Sequence, residues 1–192
     1  MIEIETRQLA GIPVLHAVPA GKRECSLPCI LFYHGFTSSS LVYSYFAVAL
    51  AQAGFRVVMP DAPDHGARFN GDAQERMFRF WHILQQNMQE FTTLRAALVA
   101  ENWLSDERLA VGGASMGGMT ALGIMARHPE VKCVASLMGS GYFTRLAQTL
   151  FPPLQVQTPE QQAEFDAVIA PLAEWDVTHQ LPRLADRPLL LW

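Results

Sequence analysis

The sequence predicts an α/β fold, a mainly parallel sheet with helices on both faces. Three observations carry this. Short continuous apolar runs recur along the chain, each stopped by Gly, Pro or His. Apolar residues at helical spacing lie between those runs, so strand–helix–strand units follow one another. The composition supports a large core: 50% of the 192 residues are hydrophobic and only 17% are charged. A chain this apolar is not intrinsically disordered, and 13 glycines with 12 prolines fit neither a collagen-like nor a low-complexity protein.

The elements follow in order. Ile2, Ile4 and then Ile12, Val14, Leu15 predict two opening strands joined near Ala10-Gly11. Cys29–Tyr33 reads as a buried parallel strand ending at His34-Gly35. Ser38-Ser39-Ser40 is expected to cap the next helix, with Leu41, Tyr45, Phe46, Ala49 and Leu50 on its inner face. Gly54 is its C′ glycine. Val57–Met59 is the next strand, stopped by Pro60 and followed by the loop Asp61–Gly66. One long helix is expected from about Ala73 to Leu104, because Met77, Phe80, Leu84, Met88, Phe91, Leu94 and Leu98 recur every three to four residues. Leu109–Gly112 is a strand, Met119–Arg127 a helix, Cys133–Met138 a strand and Pro188–Trp192 the last strand. Residues 141–187 break the rhythm with five prolines and an apolar helical pattern at Phe165, Val168, Ile169, Leu172 and Trp175. They read as a small helical lid inserted in a single domain of residues 1–192; a longer crossover connection is the alternative.

Charge and composition exclude several functions. A net charge of −4 with no basic cluster argues against nucleic-acid binding. No apolar run approaches the ~20 residues of a membrane span. Cys25, Cys29 and Cys133 form no CxxC and read as reduced, small apolar side chains in a cytoplasmic protein.

The chemical signal is Gly113-Ala114-Ser115-Met116-Gly117, lying after a predicted strand and before a predicted helix. A nucleophilic serine belongs on such a strained turn, where its hydroxyl projects above the sheet and small flanking residues avoid clashes. The helix that starts there aims N–H groups at developing negative charge. His34-Gly35-Phe36-Thr37 follows the neighbouring strand. The N–H of Phe36 is the candidate partner of the Met116 N–H in an oxyanion hole.

The succession strand, HGFTSS, helix, strand, DAPDHG, helix, VGGASMGG resembles the α/β-hydrolase family along the whole chain. The resemblance implies a serine carboxylesterase acting on small acyl esters through an acyl-enzyme on Ser115. Phe36 and Met116 would be its oxyanion donors, with no metal or organic cofactor. Thioester hydrolysis and peptide hydrolysis are alternatives within the class. The apolar residues Phe143, Leu146, Leu150, Phe151, Phe165 and Trp175 of the lid point to a short or medium acyl group.

A serine nucleophile needs a histidine base and an orienting acid. His128, before Pro129, reads as a helix-end residue, and His179 with Asp176 as a local pair in the lid. Asp186 precedes a strand and so lies at the wrong edge of the sheet. His65 beside Asp64 reads as a loop tied by local hydrogen bonds; His16 and His82 read as structural or exposed. In the family the acid follows the strand matching Pro188–Trp192 and the histidine comes one strand later. The expectation is therefore a chain truncated at its C-terminus. Two more βα units of about 30 residues each would bring it to roughly 250. A non-catalytic relative that keeps the serine without its base is the rival from another class.

Overall fold

A computed structural model of the protein describes residues 1–184 and 186–192. It opens with a hairpin. Strands β1 (Ile2–Leu9) and β2 (Ile12–Pro19) pair antiparallel, with Leu9 opposite Ile12. Ala10 and Gly11 turn the chain with φ of 51° and 78°, the left-handed pair whose twist matches the strands it joins. Strands β3 (Leu27–Tyr33), β4 (Arg56–Pro60), β5 (Leu104–Ala114), β6 (Cys133–Leu137) and β7 (Leu189–Leu191) follow. The sheet order is β1-β2-β4-β3-β5-β6-β7. β2 meets β4 antiparallel, and every later pairing is parallel.

This order places the site. From β3 the chain crosses to β4 on one side; from β4 it crosses back over β3 to β5 on the other. Right-handed crossovers in opposite directions put their helices on opposite faces. Accordingly α1 (Ser44–Gln52) packs with Phe32, Val57 and Met59. Helices α3 (Phe80–Ala100) and α4 (Met116–Arg127) pack on the other face with Leu31, Tyr33 and Val111. The loops leaving β3 and β5 diverge at the carboxyl edge, and a crevice opens where such loops part.

Several boundaries differ from the sequence expectation. Ser38–Ser40 do not cap the helix: the Ser39 hydroxyl accepts from the Val42 N–H at 3.3 Å in a preceding turn, and α1 starts at Ser44 behind Tyr43, which makes no side-chain cap bond. Leu41 and Tyr45 are exposed, and the helix buries Ala47 and Ala51 instead. Its end is as read, with Gly54 at φ 101° and the N–H groups of Gly54 and Phe55 returning to the carbonyls of Ala51 and Leu50.

The expected helix over 73–104 is two helices and a strand start. A short α2 (Ala73–Phe78) is capped by the Asp72 carboxylate and breaks at Arg79. The break leaves Met77 and Phe78 outside while Phe80 and Trp81 turn into the core. At the far end Asn102 takes φ 53°, and the Trp103 N–H returns to the carbonyl of Leu98. Leu104 already belongs to β5. The helix at the predicted nucleophile starts three residues earlier than expected, at Met116.

Between β6 and β7 lie α5 (Phe143–Leu146), α6 (Pro159–Ile169) and 3-10 turns at 170–174, 177–179 and 181–183. A Thr158–Gln161 capping box starts α6. The expected apolar face is only partly used: Val168 is exposed, while Leu172 and Trp175 reach the core from the turn that follows α6. The Trp81 indole N–H donates to the Leu150 carbonyl at 2.9 Å and ties this segment to α3. β7 is hydrogen-bonded to β6 and ends the strand order, with Leu190 and Leu191 exposed.

A buried cation locks the hairpin to the sheet. The Arg56 guanidinium donates to the carbonyls of Arg23 and Cys25 at 2.7 and 2.8 Å and to Nε2 of His16. It lies 4.3 Å over the Trp103 ring, whose plane stacks on His16. Arg56→Ala should cost about 3 kcal/mol, because buried carbonyls and an imidazole lose their donor together. The midpoint of urea unfolding measures this; an unchanged midpoint contradicts it.

Candidate active site

The turn from β5 to α4 is strained and tightly held. Ser115 has φ 55° and ψ −119°, a conformation costing a residue with a side chain about 1–3 kcal/mol. Its N–H donates to the Leu137 carbonyl at 2.8 Å, and its carbonyl accepts from the Met119 N–H at 3.0 Å. The flanking residues Ala114 and Met116 are buried while Ser115 is exposed. The small residues on either side are required by contact with each other and with β3. A Cβ at Gly117 would stand 2.0 Å from the Tyr33 carbonyl oxygen, and one at Gly113 would stand 2.4 Å from the Gly117 carbonyl carbon.

The loop after β3 comes alongside. A Cβ at Gly35 would lie 3.5 Å from the Ser115 Cβ. Phe36 follows Gly35, and Met116 follows Ser115. Among the described residues nothing accepts a hydrogen bond from the N–H of Phe36 or of Met116. Two unpaired donors therefore adjoin one exposed hydroxyl.

The loop after β4 braces the loop after β3. His34 sets Nδ1 on the Gly35 carbonyl at 2.8 Å, and its Nε2 accepts from the Ala62 N–H at 3.0 Å. His65 sets Nδ1 on the Pro63 carbonyl at 2.8 Å, and its Nε2 accepts from the Thr37 N–H at 2.9 Å. The Asp61 carboxylate accepts from the N–H groups of Ser40 and Ala67. Asp64 accepts from the Asn70 N–H and faces Arg79 at 3.6 Å. His65 and Asp64 thus form no relay, and both nitrogens of each imidazole are occupied.

Burial pushes His65 down to about 4, and it does the same to His16 in the Arg56 cluster. An ordinary histidine titrates near 6.5. Between these values the unfolded chain takes up protons that the folded chain refuses, so stability falls as pH drops from about 6.5 to about 4. Each histidine should contribute about 3 kcal/mol to that loss. Urea midpoints at pH 7, 5.5 and 4.5 measure it; a flat profile contradicts it.

A cavity of about 410 Å³ opens over the serine. Ser115, Phe36, Thr37, Phe80, Met119, Met138, Leu146, Leu150 and Phe151 line it. Phe36, Phe80 and Phe151 form an aromatic cluster with centroids 4.8 to 5.2 Å apart. Met116 does not line the cavity; its side chain is buried beneath. Of the six apolar residues expected to face an acyl group, Leu146, Leu150 and Phe151 line this cavity. Phe143, Phe165 and Trp175 are packed into the core instead. Met119, in the first turn of α4, and Met138, directly after β6, are not among the expected site residues; their sequence signal is only that each follows closely on a strand ending at the carboxyl edge. A larger cavity of about 520 Å³ lies on the opposite face, between α1 and β7. It is lined by Phe32, Leu50, Leu137 and other apolar groups, with no titratable side chain except Cys133.

The remaining histidines and acids lie elsewhere. His128 ends α4 at the pole opposite Ser115, against Phe91 and Glu130. His179 is bonded weakly to the Ala173 carbonyl. The Asp176 carboxylate accepts from Thr144 and Thr178 and does not touch the His179 ring. His82 is exposed. Among the described residues no imidazole or carboxylate hydrogen-bonds the Ser115 hydroxyl, and no group of three His, Cys, Asp or Glu side chains could hold a metal ion. Among the described residues no helix is long and apolar enough to cross a membrane. Burial pushes the Cys29 thiol up to about 12, so it stays a neutral core group.

Known proteins share this sequence and architecture. A sequence profile of the alpha/beta hydrolase fold matches residues 28–190. Esterase YjfP of Escherichia coli is 71% identical over all 192 residues, which span 77% of that protein. YitV of Bacillus subtilis is 34% identical over the whole chain and is also spanned to 77%. The acylaminoacyl peptidase of Pyrococcus horikoshii, at 14% identity, superposes with a TM-score of 0.66 over the whole chain and 36% of its own length; at that identity the likeness is one of fold alone.

Proposed function

Because the chain belongs to the α/β-hydrolase family, we propose that it is a serine carboxylesterase. Ser115 Oγ attacks the ester carbonyl, and the Phe36 and Met116 N–H groups receive the oxyanion. The alcohol leaves, and water then releases the acid from the acyl-enzyme. One observation carries the reading: an exposed, strained serine between β5 and α4 with two unpaired N–H groups beside it. Each such donor is worth about 3 kcal/mol in the transition state. The reading assigns no residue of this chain as the base. The esterase name of the relative with 71% identity favours esters over thioesters and peptides.

A fluorophosphonate probe tests the nucleophile. Mass spectrometry should find the label on Ser115. An unlabelled Ser115 in protein that hydrolyses p-nitrophenyl butyrate refutes the reading. An unlabelled and inactive protein supports the rival, a non-catalytic relative. That rival draws on the absence of a described imidazole bonded to Ser115.

The segment 141–187 acts as a lid whose Leu146, Leu150 and Phe151 meet the acyl group. A cavity of this size and apolarity suits a short or medium chain. Each methylene buried there should raise kcat/KM about fourfold, following ~0.8 kcal/mol per CH2, until the cavity is full. Phe151→Ala should shift the optimum to longer esters by removing one ring of the aromatic cluster. A p-nitrophenyl ester series from acetate to decanoate measures both, and equal rates along it would reject the lid's role.

A further inference from the structure

We propose that His65 is a positioning residue for the oxyanion-binding loop, paired with His34 in a crossed clasp between the loops that follow β3 and β4. His34 belongs to the first loop and holds Ala62 in the second; His65 belongs to the second and holds Thr37 in the first. The inference rests on the reading that the Phe36 N–H receives the oxyanion.

The partners dictate the tautomer. Pro63 offers only a carbonyl to Nδ1 of His65, so that nitrogen carries the proton. Thr37 offers only an N–H, so Nε2 is bare. The same logic makes His34 an Nδ1–H imidazole, between the Gly35 carbonyl and the Ala62 N–H. Thr37 needs such a partner. It stands at φ 61° with its side chain exposed, so its N–H is its anchor to the body of the protein. The peptide plane joining Phe36 to Thr37 is held at that N–H, and its orientation helps set where the Phe36 N–H points. His65 is itself fixed: fully buried, with the Phe36 ring at 5.2 Å and the His34 ring at 5.4 Å. Neither histidine touches the reacting atoms.

Three His65 variants separate this role from simple packing. Gln can place an amide oxygen where Nε2 stood; Phe keeps the ring but accepts nothing; Asn is too short to reach Thr37. His65→Phe should lower kcat on p-nitrophenyl butyrate about 100-fold, the usual cost of a displaced catalytic donor, with KM changed less than about twofold. His65→Gln should recover most of the rate. If His65→Phe does not fold, His65→Asn supplies the loss. Full activity in the folded variant lacking the acceptor overturns the proposal, as does failure of Gln to exceed Asn and Phe. Nitrogen-15 spectra of the unaltered protein give a readout independent of activity. They should show both imidazoles as Nδ1–H tautomers and slow exchange of the Thr37 amide; an Nε2–H tautomer at His65 overturns the clasp. If those spectra are as expected while Ser115→Ala retains full turnover, the serine mechanism fails and the clasp stands as a structural device only.

Discussion

In protein that hydrolyses p-nitrophenyl butyrate, Ser115→Ala should lower turnover by about 10⁴-fold or more, because the covalent route proposed for Ser115 disappears and only binding and the proposed oxyanion stabilisation remain. Stability moves in the opposite sense or not at all. The Ser115 side chain is exposed and its hydroxyl bonds to nothing among the described residues, so no buried partner is orphaned by its removal. The strain at φ 55° is common to serine and alanine. Ser115→Gly, which relieves that strain, should raise the unfolding free energy read from urea denaturation by about 1 kcal/mol while abolishing turnover equally. The pair of variants thus separates the energetic cost of the turn from its use. Residual turnover above a few per cent in either, or a destabilised Ser115→Gly, would contradict the placement of the nucleophile.

The second large effect falls on Gly117. Its added Cβ would meet the Tyr33 carbonyl oxygen at 2.0 Å, the Tyr33 carbonyl carbon at 2.5 Å and the His34 carbonyl oxygen at 2.9 Å. All three atoms are backbone, so no side chain can swing aside. The first turn of α4 would have to lift off β3, and the loop carrying Phe36 would move with it. Gly117→Ala should therefore cost more than about 4 kcal/mol, beyond ordinary overpacking and a large share of a typical stability of ~5–15 kcal/mol. Gly71→Ala is the control. Gly71 has φ 101° and open space around it, so backbone strain alone applies there, about 1 kcal/mol. Urea midpoints of the two variants measure the difference, and equal midpoints would refute close backbone contact at the turn.

The strand and helix order was legible because each central strand is a short apolar run with a glycine, proline or histidine at its end, a local signal. The Ser115 turn was legible for a related reason: its steric demands fall on Gly113 and Gly117, two residues either side. Elsewhere the local signals and the observed boundaries differ. Three serines at 38–40 have capping chemistry, but the chain makes a turn there and starts α1 later at Ser44. The apolar period over 73–104 runs unbroken through Arg79, although the axis breaks so that Phe80 and Trp81 can turn inward. Asn102 was a stop signal in plain view, since asparagine tolerates the left-handed conformation that ends α3.

By itself the sequence determined the family, the sheet's strand segments and the candidate nucleophile with its two candidate amides, because these depend on neighbours within a few residues. The tertiary structure alone decided what surrounds them. It brought His34 to Ala62 and His65 to Thr37 across 28 residues. It sent Phe143, Phe165 and Trp175 into the core while leaving Phe151 over the serine. It also carried His128 to the far end of α4. Such partners are chosen by the crossing of β3, β4 and β5 in the sheet and by competition for buried space, and neither is encoded in the spacing of residues along the chain.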